Sequence, residues 1–423
     1  MQPVARPVLN LLLALTVLSP AAARADDTDA DALSLTSAPV ESTQRATRLF
    51  IEGAIGRADQ RYQPGWRDLS RVSVDLSGSF TLATDWRAVL SDRLDAMDPA
   101  DPGADHVVNS LREAYVSWQQ GGGATVVDLG RVNLRYGPGY GYNPTDFFRD
   151  NTLRTMTTVN PLALRENRLG TFVLRGQRLW GDSAASVALA PKLASRRSDD
   201  GLSIDAGATN NRDRALLTFS TRVTERISTQ VLVYKESDLP AQVGASATAL
   251  LADSVVAYAE GSRGREPDLL NRSMALDAPR ETRNRFVGGL TFTPIPRLSI
   301  SGEYQYNGFA LDKAGWAAAG ATGPAALSAY LLEAQRRQEL ASRDAWMLYA
   351  SFKDAGMKNL DATALLRFNA EDHSRLGWVE LRYHWPRVDV ALQLQQQGGR
   401  QASEYAFAPY RRSIQLLAAY HLD

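Results

Sequence analysis

Polar and apolar residues alternate with a period of two along much of the C-terminal third, and this pattern limits the possible folds most strongly. In the segment 297–307, RLSISGEYQYN, one face would carry Leu298, Ile300, Tyr304 and Tyr306 and the other Ser299, Ser301, Glu303, Gln305 and Asn307. Similar alternation returns at 346–352 and 388–395. Because successive side chains of a strand point to opposite faces, the pattern indicates strands with a different environment on each side.

The N-terminus predicts export across a membrane. Arg6 precedes a short apolar run at 9–18, and the small-residue sequence Ala-Arg-Ala follows at 23–25. A run this short, followed at once by small residues, is typical of a secretory signal peptide rather than a membrane span. We therefore expect a signal peptide over 1–25 and a short disordered mature N-terminus over 26–46, in a bacterial envelope protein.

Composition excludes several classes of protein. The chain has no cysteine, which rules out disulfide crosslinks and thiolate metal sites. Lysine plus arginine and aspartate plus glutamate each number 47, so the chain has no net positive charge that would favour binding to nucleic acid. After residue 18, no apolar run approaches the roughly 20 residues of a membrane helix. For an exported, strand-rich chain of this kind we expect an all-β fold. It would be a closed antiparallel transmembrane β-barrel embedded in the lipid of a bacterial outer membrane.

The spacing of turns predicts the layout of this barrel over residues 47–423. Short connections rich in Gly, Pro, Asp and Arg alternate with long polar ones, which we expect to be extracellular loops, some folded inward. Sixteen strands place every short turn at one end. The region 238–283 is the weakest, since ADSVVAYAEG at 252–261 is either an extra strand, giving eighteen, or a short loop helix.

Charged residues on the polar faces of predicted strands are the first candidate site. A charge on the lipid face costs roughly 2–4 kcal/mol near the midplane, so these residues are expected to line the pore. The predicted pore-lining residues are Arg131, Asn133, Arg135, Glu303, Gln305, Arg367, Glu380 and Arg382. Mixed charges across a pore would tune selectivity towards polar or charged solutes. The alternative is that they pair with one another and only stiffen the wall.

The block 130–149, GRVNLRYGPGYGYNPTDFFR, is unlike generic barrel wall. Its glycines permit tight backbone turns, and Asn-Pro-Thr-Asp at 143–146 is a strong turn signal. Residues predicted to form a constriction or to bind solute are Tyr140, Tyr142, Asn143, Asp146, Phe147 and Phe148. The alternative is a packed, inward-folded loop with no ligand.

In this block, Gly-Arg followed by Tyr-Gly-x-Gly-Tyr-x-Asn-Pro-Thr-Asp-Phe-Phe resembles a motif of large porin-like outer-membrane proteins of Gram-negative bacteria. These proteins are similar in style to the alginate-export barrels. The resemblance implies an outer-membrane channel for export or uptake of a polymer or hydrophobic solute. We expect no cofactor, and for an exporter we expect a periplasmic export partner.

Other functions have weaker support. Alternation up to Leu422 resembles the terminal strand read by the barrel-assembly machinery, an expected partner during biogenesis. His106 and His373 lie beside acids in predicted loops, but neither belongs to a hydrolase or metal motif, so we predict no enzyme and no metal site. Three functions remain: a channel for polar solutes or a secreted polymer, an occluded surface barrel that binds a partner through its loops, and, least favoured, a rim hydrolase.

Overall fold

The computed structural model describes residues 47–100, 105–276 and 278–422. The predicted signal peptide and mature N-terminus lie outside these ranges. Within them are the strands β1 (Thr47–Gln60), β2 (Trp66–Ala83), β3 (Trp86–Asp98), β4 (Val107–Gln120), β5 (Thr125–Val132), β6 (Thr171–Trp180), β7 (Ser183–Ala190), β8 (Arg214–Thr224), β9 (Ile227–Glu236), β10 (Gln242–Ala252), β11 (Val255–Glu266), β12 (Glu281–Ile295), β13 (Leu298–Asn307), β14 (Asp344–Phe352), β15 (Leu360–Asn369), β16 (Arg375–His384), β17 (Val388–Gly398) and β18 (Tyr410–His421).

The strands form one antiparallel sheet that closes on itself. Each strand pairs with its neighbours in sequence, and β1 also pairs with β18, in a register that sets Phe50 against His421 and Ala58 against Ser413. A closed sheet leaves no edge strand with unpaired backbone groups, which is the condition for spanning a bilayer with strands. The predicted closed transmembrane β-barrel is confirmed.

The structure has the larger of the two predicted strand counts, with eighteen strands in the described residues. The two strands beyond the favoured sixteen are the hairpin of β10 and β11, in the region 238–283. Ala, Gly and Ser occupy many positions in both strands, so the period-two pattern has fewer large apolar residues than strands elsewhere. Most of the fragment 252–261 belongs to β11, which pairs with β10, the strand just before it in the chain.

The two faces of the wall have opposite chemistry. Large apolar side chains point outward and stay exposed, as at Leu129 (65%) and Ile55 (54%). Their strand neighbours point inward and are polar or small. Inward-facing polar residues include Ser73, Asp75, Asp128, Gln230, Glu303 and Gln305. Aromatic side chains border the outer apolar band, including Trp86, Trp180 and Phe219. This arrangement is that of a barrel solvated by lipid outside and by polar groups inside.

The connections differ between the two ends. Short turns join β2–β3, β4–β5, β6–β7, β8–β9, β10–β11, β12–β13, β14–β15 and β16–β17 at the end where β1 begins and β18 finishes, called here the turn end. Connections at the opposite, loop end include the two longest, 133–170 and 308–343, and 191–213. Such asymmetry is usual in outer-membrane barrels, with short turns in the periplasm.

The helices all lie in loop-end connections. They are α1 (Pro161–Glu166), α2 (Ala206–Thr209), α3 (Leu269–Ser273), α4 (Lys313–Thr322), α5 (Pro324–Arg337) and α6 (Glu404–Phe407). Nowhere in the described ranges is a helix long and apolar enough to cross a membrane. In α5, Leu327 and Tyr330 are buried in a cluster with Phe309 and Trp316.

Candidate functional site

The connection between β5 and β6, residues 133–170, folds into the barrel and contacts the wall at many strands. We call it the inner loop. Its outgoing limb, 133–150, carries the Gly- and Tyr-rich block, and its return limb, 151–170, carries α1. The side chains and backbone of this loop, together with the inward-facing wall residues they touch, form the candidate site.

The outgoing limb packs first on an apolar part of the inner wall. Leu134, Tyr136 and Phe148 belong to a buried cluster with inward-facing residues of β6–β9. The Phe147 ring stacks on Tyr234 of β9 at a centroid distance of 4.8 Å and an interplanar angle of 3°. Phe148 meets the same ring edge-on at 6.0 Å. Aromatic pairs at these distances add to the stabilisation from buried area, so this contact fixes the limb against the wall.

A buried carboxylate on β11 then holds the backbone of the loop. Glu260 accepts hydrogen bonds from the Gly139 amide at 2.9 Å, the Asn143 side-chain amide at 3.0 Å and the Thr145 amide at 3.2 Å. Gly137 lies so close that an added Cβ would come within 2.1 Å of this carboxylate, and its φ of +84° also favours glycine. The glycine-rich sequence therefore allows the loop to wrap around a wall side chain.

A second carboxylate, two strands further round the wall, repeats this arrangement. Glu303 of β13 accepts from the amides of Tyr140 at 2.5 Å and Gly141 at 3.0 Å, and from the Gln305 side chain at 2.6 Å and the Tyr258 hydroxyl at 3.0 Å. Glu303 has 1% of its surface exposed. Burying a carboxylate without hydrogen-bond donors costs free energy. The four donors around Glu303 therefore indicate that this carboxylate holds the loop in place.

The return limb is held by arginines of the opposite wall. Arg71 of β2 donates to the Thr157 carbonyl at 3.0 Å, and Arg112 of β4 donates to the Asn167 side chain at 3.0 Å. Asn160 caps α1 by accepting from the Leu162 amide at 3.1 Å. The anchors lie on β2, β4, β9, β11 and β13, so the inner loop contacts the inner wall on several sides of the barrel.

The inner wall of β1–β4 carries a network of buried ion pairs. Arg112 reaches both oxygens of Asp75, at 2.6 and 2.7 Å. Arg93 lies 3.0 Å from Asp95, 3.3 Å from Glu52 and 3.4 Å from Asp75. Charges buried at this depth require partners, and each acid here has an arginine.

The connection 308–343, called the helical loop, lies against the inner loop. Its Glu339 contacts Arg149 of the inner loop at 2.5 Å, Arg285 of β12 at 3.0 Å and the Tyr142 hydroxyl at 2.5 Å. Arg337 at the end of α5 pairs with Asp150 at 3.0 Å. These contacts tie the two loops and the wall together at the loop end.

The connection 399–409 adds a titratable group at the same end. The Glu404 carboxyl accepts from the Asn369 side chain at 2.9 Å, and the Glu404 amide donates to Asp372 at 2.6 Å. Burial, together with the negative charge of Asp372, raises the pKa of Glu404 to about 7. This carboxyl therefore changes charge near neutral pH.

The eight predicted pore-lining residues are found in different surroundings. Glu303 and Gln305 anchor the inner loop, and Arg367 donates to its Gly141 carbonyl at 3.3 Å. Glu380 and Arg382 pair with each other at 2.9 and 3.1 Å.

The remaining three lie on or next to β5. Arg135 is exposed, and Asn133 donates to the Arg165 carbonyl at 3.1 Å. Arg131 has no exposed surface, because it donates to Gly170 and to the backbone and Thr209 of the connection 191–213.

The six predicted constriction residues all lie in the outgoing limb. Besides the contacts of Tyr142, Asn143, Phe147 and Phe148, Asp146 is paired with Arg168 at 2.8 Å. The Tyr140 ring lies between Tyr258 and Tyr349, at 6.0 and 5.8 Å. The structure therefore brings all six together as a packed, anchored segment.

Several residues of the site were not among those predicted. They are Glu260, Tyr234, Arg71, Arg112 and Glu339. A signal for Glu260 was present, since Tyr258, Glu260 and Ser262 alternate with alanine and glycine in β11. The partners in the inner loop are distant in sequence, so no local pattern joined them.

Neither a protein-family model nor a curated protein sequence matches the chain. Solved structures with a similar fold include OccAB3 of Acinetobacter baumannii, with a TM-score of 0.53, 8% identity, and coverage of 89% of this chain and 98% of that one. OpdL of Pseudomonas aeruginosa has a TM-score of 0.52 and 12% identity, and the match covers 89% of this chain and 98% of that one. OccK11 of the same organism has a TM-score of 0.52 and 11% identity, and the match covers 89% of this chain and 96% of that one. At these identities the similarity concerns the fold.

That fold, with its apolar outer band and loop asymmetry, is the β-architecture of outer membranes. The chain is therefore an outer-membrane β-barrel, with its loop end outside the cell.

Proposed function

We propose that the protein is an outer-membrane channel for small polar solutes, with the inner loop as its selectivity constriction. The observation that carries the proposal is the pair of buried wall carboxylates, Glu260 and Glu303, that hold the inner loop inside the lumen. A loop that only decorated the surface would not need anchors inside the wall.

The width of the barrel supports a water-filled path. Eight strands leave an interior that side chains fill, whereas barrels of 16–18 strands leave an aqueous channel. This barrel has eighteen in its described residues, and its inner wall is rich in charged side chains. Rings of charge on a pore wall select among ions and polar solutes.

Several contacts favour small solutes over a secreted polymer. The inner loop is anchored on both limbs by aromatic packing, by two carboxylates and by arginines of the opposite wall. Opening a path for a polymer would break all of these contacts at once. No export partner is needed for a channel of this kind.

Within this channel we assign different roles to the predicted residues. Arg135, exposed beside the loop, and the Glu380–Arg382 pair are the candidates for contact with solutes. Glu303, Gln305 and Arg367 set the position of the constriction through their contacts with it. Arg131 supports the rim, since its partners belong to the connections around it.

Single-channel conductance in a planar bilayer tests the proposal. We expect a stable ohmic conductance from the folded protein, and a several-fold larger or noisier conductance after Glu260→Ala with Glu303→Ala, because the loop loses its anchors. Glu281→Ala is the matched control, as this exposed carboxylate pairs with Arg283 and holds no part of the inner loop in the described residues. No conductance in either the original protein or the double variant would contradict a channel function.

A second candidate is an occluded barrel that binds a partner through its loops. The observation in its favour is the contact of Glu339 with Arg149, Arg285 and Tyr142, which ties both long loops over the lumen. In that case, folded protein would be silent in a bilayer, and Glu339→Ala would leave it silent. A channel gated by these contacts would instead gain conductance in the same variant.

A further inference from the structure

A groove runs along the outside of the barrel, on the wall of β9–β13. It has a volume of about 870 Å³, and its lining includes Val231, Val243, Ala245, Gly261, Phe286 and Tyr306. None of these residues belongs to the lumen site. Lipid surrounds this face of the barrel, so the groove must be occupied in the membrane.

The register of four neighbouring strand pairs explains the shape. Val231 lies opposite Ala245, Ala245 opposite Gly261, Gly261 opposite Phe286, and Phe286 opposite Tyr306. The floor of this row is therefore made of a methyl group and a hydrogen atom, between a valine on one side and two aromatic rings on the other. The next row towards the turn end continues the floor with Ala247, Ala259 and Gly288.

The loop end of the groove carries positive charge. Arg263 and Arg265 are exposed and alternate with buried residues of β11, so both point to the lipid side. Arg263 donates to the Asn284 side chain at 3.0 Å, and Arg265 donates to the Arg280 carbonyl at 3.3 Å. Among the described residues, neither guanidinium has a carboxylate partner.

An arginine on the lipid face costs about 2–4 kcal/mol at the membrane midplane and about 0–1 near the interface. These arginines are at the loop end of β11, where the outer-leaflet headgroups lie. A guanidinium forms bidentate hydrogen bonds with phosphate, and these charge-assisted bonds are roughly twice as strong as neutral ones. The apolar floor below them matches an acyl chain.

We propose that this groove is a binding site for one phosphate-bearing lipid of the outer leaflet, with its phosphate on Arg263 and Arg265 and an acyl chain on the floor at Ala245 and Gly261. The charged end favours this occupant over a second copy of the chain, because a second copy would have to supply buried acids for two unpaired arginines. The proposal requires only that the barrel lies in a membrane, and it does not depend on conductance.

Native mass spectrometry in neutral detergent tests the site, with dilauroylphosphatidylglycerol as the anionic probe and dilauroylphosphatidylcholine as its zwitterionic match. We expect one molecule of the anionic lipid to bind about tenfold more tightly than the zwitterionic lipid. Both carry a phosphate, but only in the zwitterionic lipid does a choline cation offset the attraction of that phosphate to the two arginines. Arg263→Gln with Arg265→Gln should remove this preference. Ala245→Leu, which fills the floor, should weaken binding of both lipids.

Two variants serve as matched controls. Arg411→Gln with Arg412→Gln removes the same charge from exposed arginines at the loop end of β18, and Ala185→Leu enlarges an alanine of β7 outside the groove. Both should bind lipid like the original protein. Heat-modifiable migration on gels verifies that every variant is folded.

Three results would overturn the proposal. The first is equal binding of the two lipids by the original protein. The second is a preference for the anionic lipid that survives loss of Arg263 and Arg265. The third is a dimer or trimer that Ala245→Leu converts to monomer, since a second copy would then occupy the groove.

Discussion

The two inner walls that hold the inner loop differ in chemistry. The wall of β6–β9 is apolar, with Leu216, Leu232 and Tyr234 buried under the outgoing limb. The wall of β1–β4 is charged, with Arg93 and Arg112 among acids. The loop crosses from the first wall to the second, so one segment is held by two kinds of force.

This difference separates a fixed limb from a more easily displaced one. Apolar packing requires no particular partner atom and is lost only when the limb leaves the wall. The arginines of the charged wall make one or two hydrogen bonds each to the return limb, and they keep their acidic partners if the limb moves away. We therefore expect the return limb, 151–170, to be the part that moves.

The largest loss of stability is expected on the apolar wall. Phe148→Ala removes a ring that is 2% exposed and leaves a cavity beside Tyr234, at a cost of about 3–5 kcal/mol in the free energy of unfolding. Urea unfolding in micelles measures the cost. Phe219→Ala, on the lipid face at 41% exposure, is the control and should cost much less. Equal losses would refute the idea that the apolar wall carries the outgoing limb.

A smaller loss is expected on the charged wall. Arg112→Ala leaves Asp75 with Arg93 at 3.4 Å and Arg48 at 3.9 Å, so we expect a cost of about 2 kcal/mol by the same measurement. Cleavage of the return limb by added protease should rise more than cleavage of the outgoing limb. The exposed pair of Arg57 and Asp68 provides the control, since Arg57→Ala should change stability by under about 1 kcal/mol.

A pH effect is expected at Glu404, a carboxyl that faces another acid instead of pairing with an arginine. The pKa of Glu404 is raised in the folded protein to about 7 from an ordinary value near 4.5. Between these values the folded state holds a proton that the unfolded state releases, so stability falls as pH rises from about 4.5 to 7. Hydrogen exchange in 399–409, divided by the intrinsic exchange rate that itself rises with pH, should therefore accelerate over this range. In Glu404→Gln the acceleration should be absent, and its persistence would assign the effect to another group.

The smallest effect on stability is expected at Arg135, which neither wall buries. Arg135→Ala should change the free energy of unfolding by no more than about 0.5 kcal/mol. If the protein is a channel, the same variant should lower the ratio of chloride to potassium permeability, measured from the reversal potential in a salt gradient. Arg135→Lys should retain the original ratio. An unchanged ratio in both variants would remove Arg135 from the solute path.

Much of the wall was predictable from sequence, because alternation at residues such as Leu298 and Ile300 reports lipid on one side directly. The hairpin of β10 and β11 was harder, since several outward residues in its middle, such as Ala245, Ala259 and Gly261, are small and give little contrast. The same small residues form the floor of the outer groove. The feature that weakened the prediction therefore has a structural consequence.

The candidate site was predictable only in part. Asn143 and Phe148 were marked by their unusual block, but their partners Glu260 and Tyr234 lie on distant strands, in the first case 117 positions away in the chain. Register and loop path decide such contacts, and neither is encoded by a local pattern. For the same reason, Arg131 and Arg135 look equivalent in sequence although one is fully buried and the other is exposed.

The pairing of β1 with β18 has a consequence for how the molecule is made. Ile51 finds its partner Tyr420 near the other end of the chain, so the first strand to be synthesised waits for the last. Loop-closure entropy grows only with the logarithm of separation, and the thermodynamic penalty for this distance is modest. The kinetic burden is larger, because until β18 pairs with it β1 exposes backbone donors and acceptors along one side. The wall becomes continuous only after β18 has folded against β1.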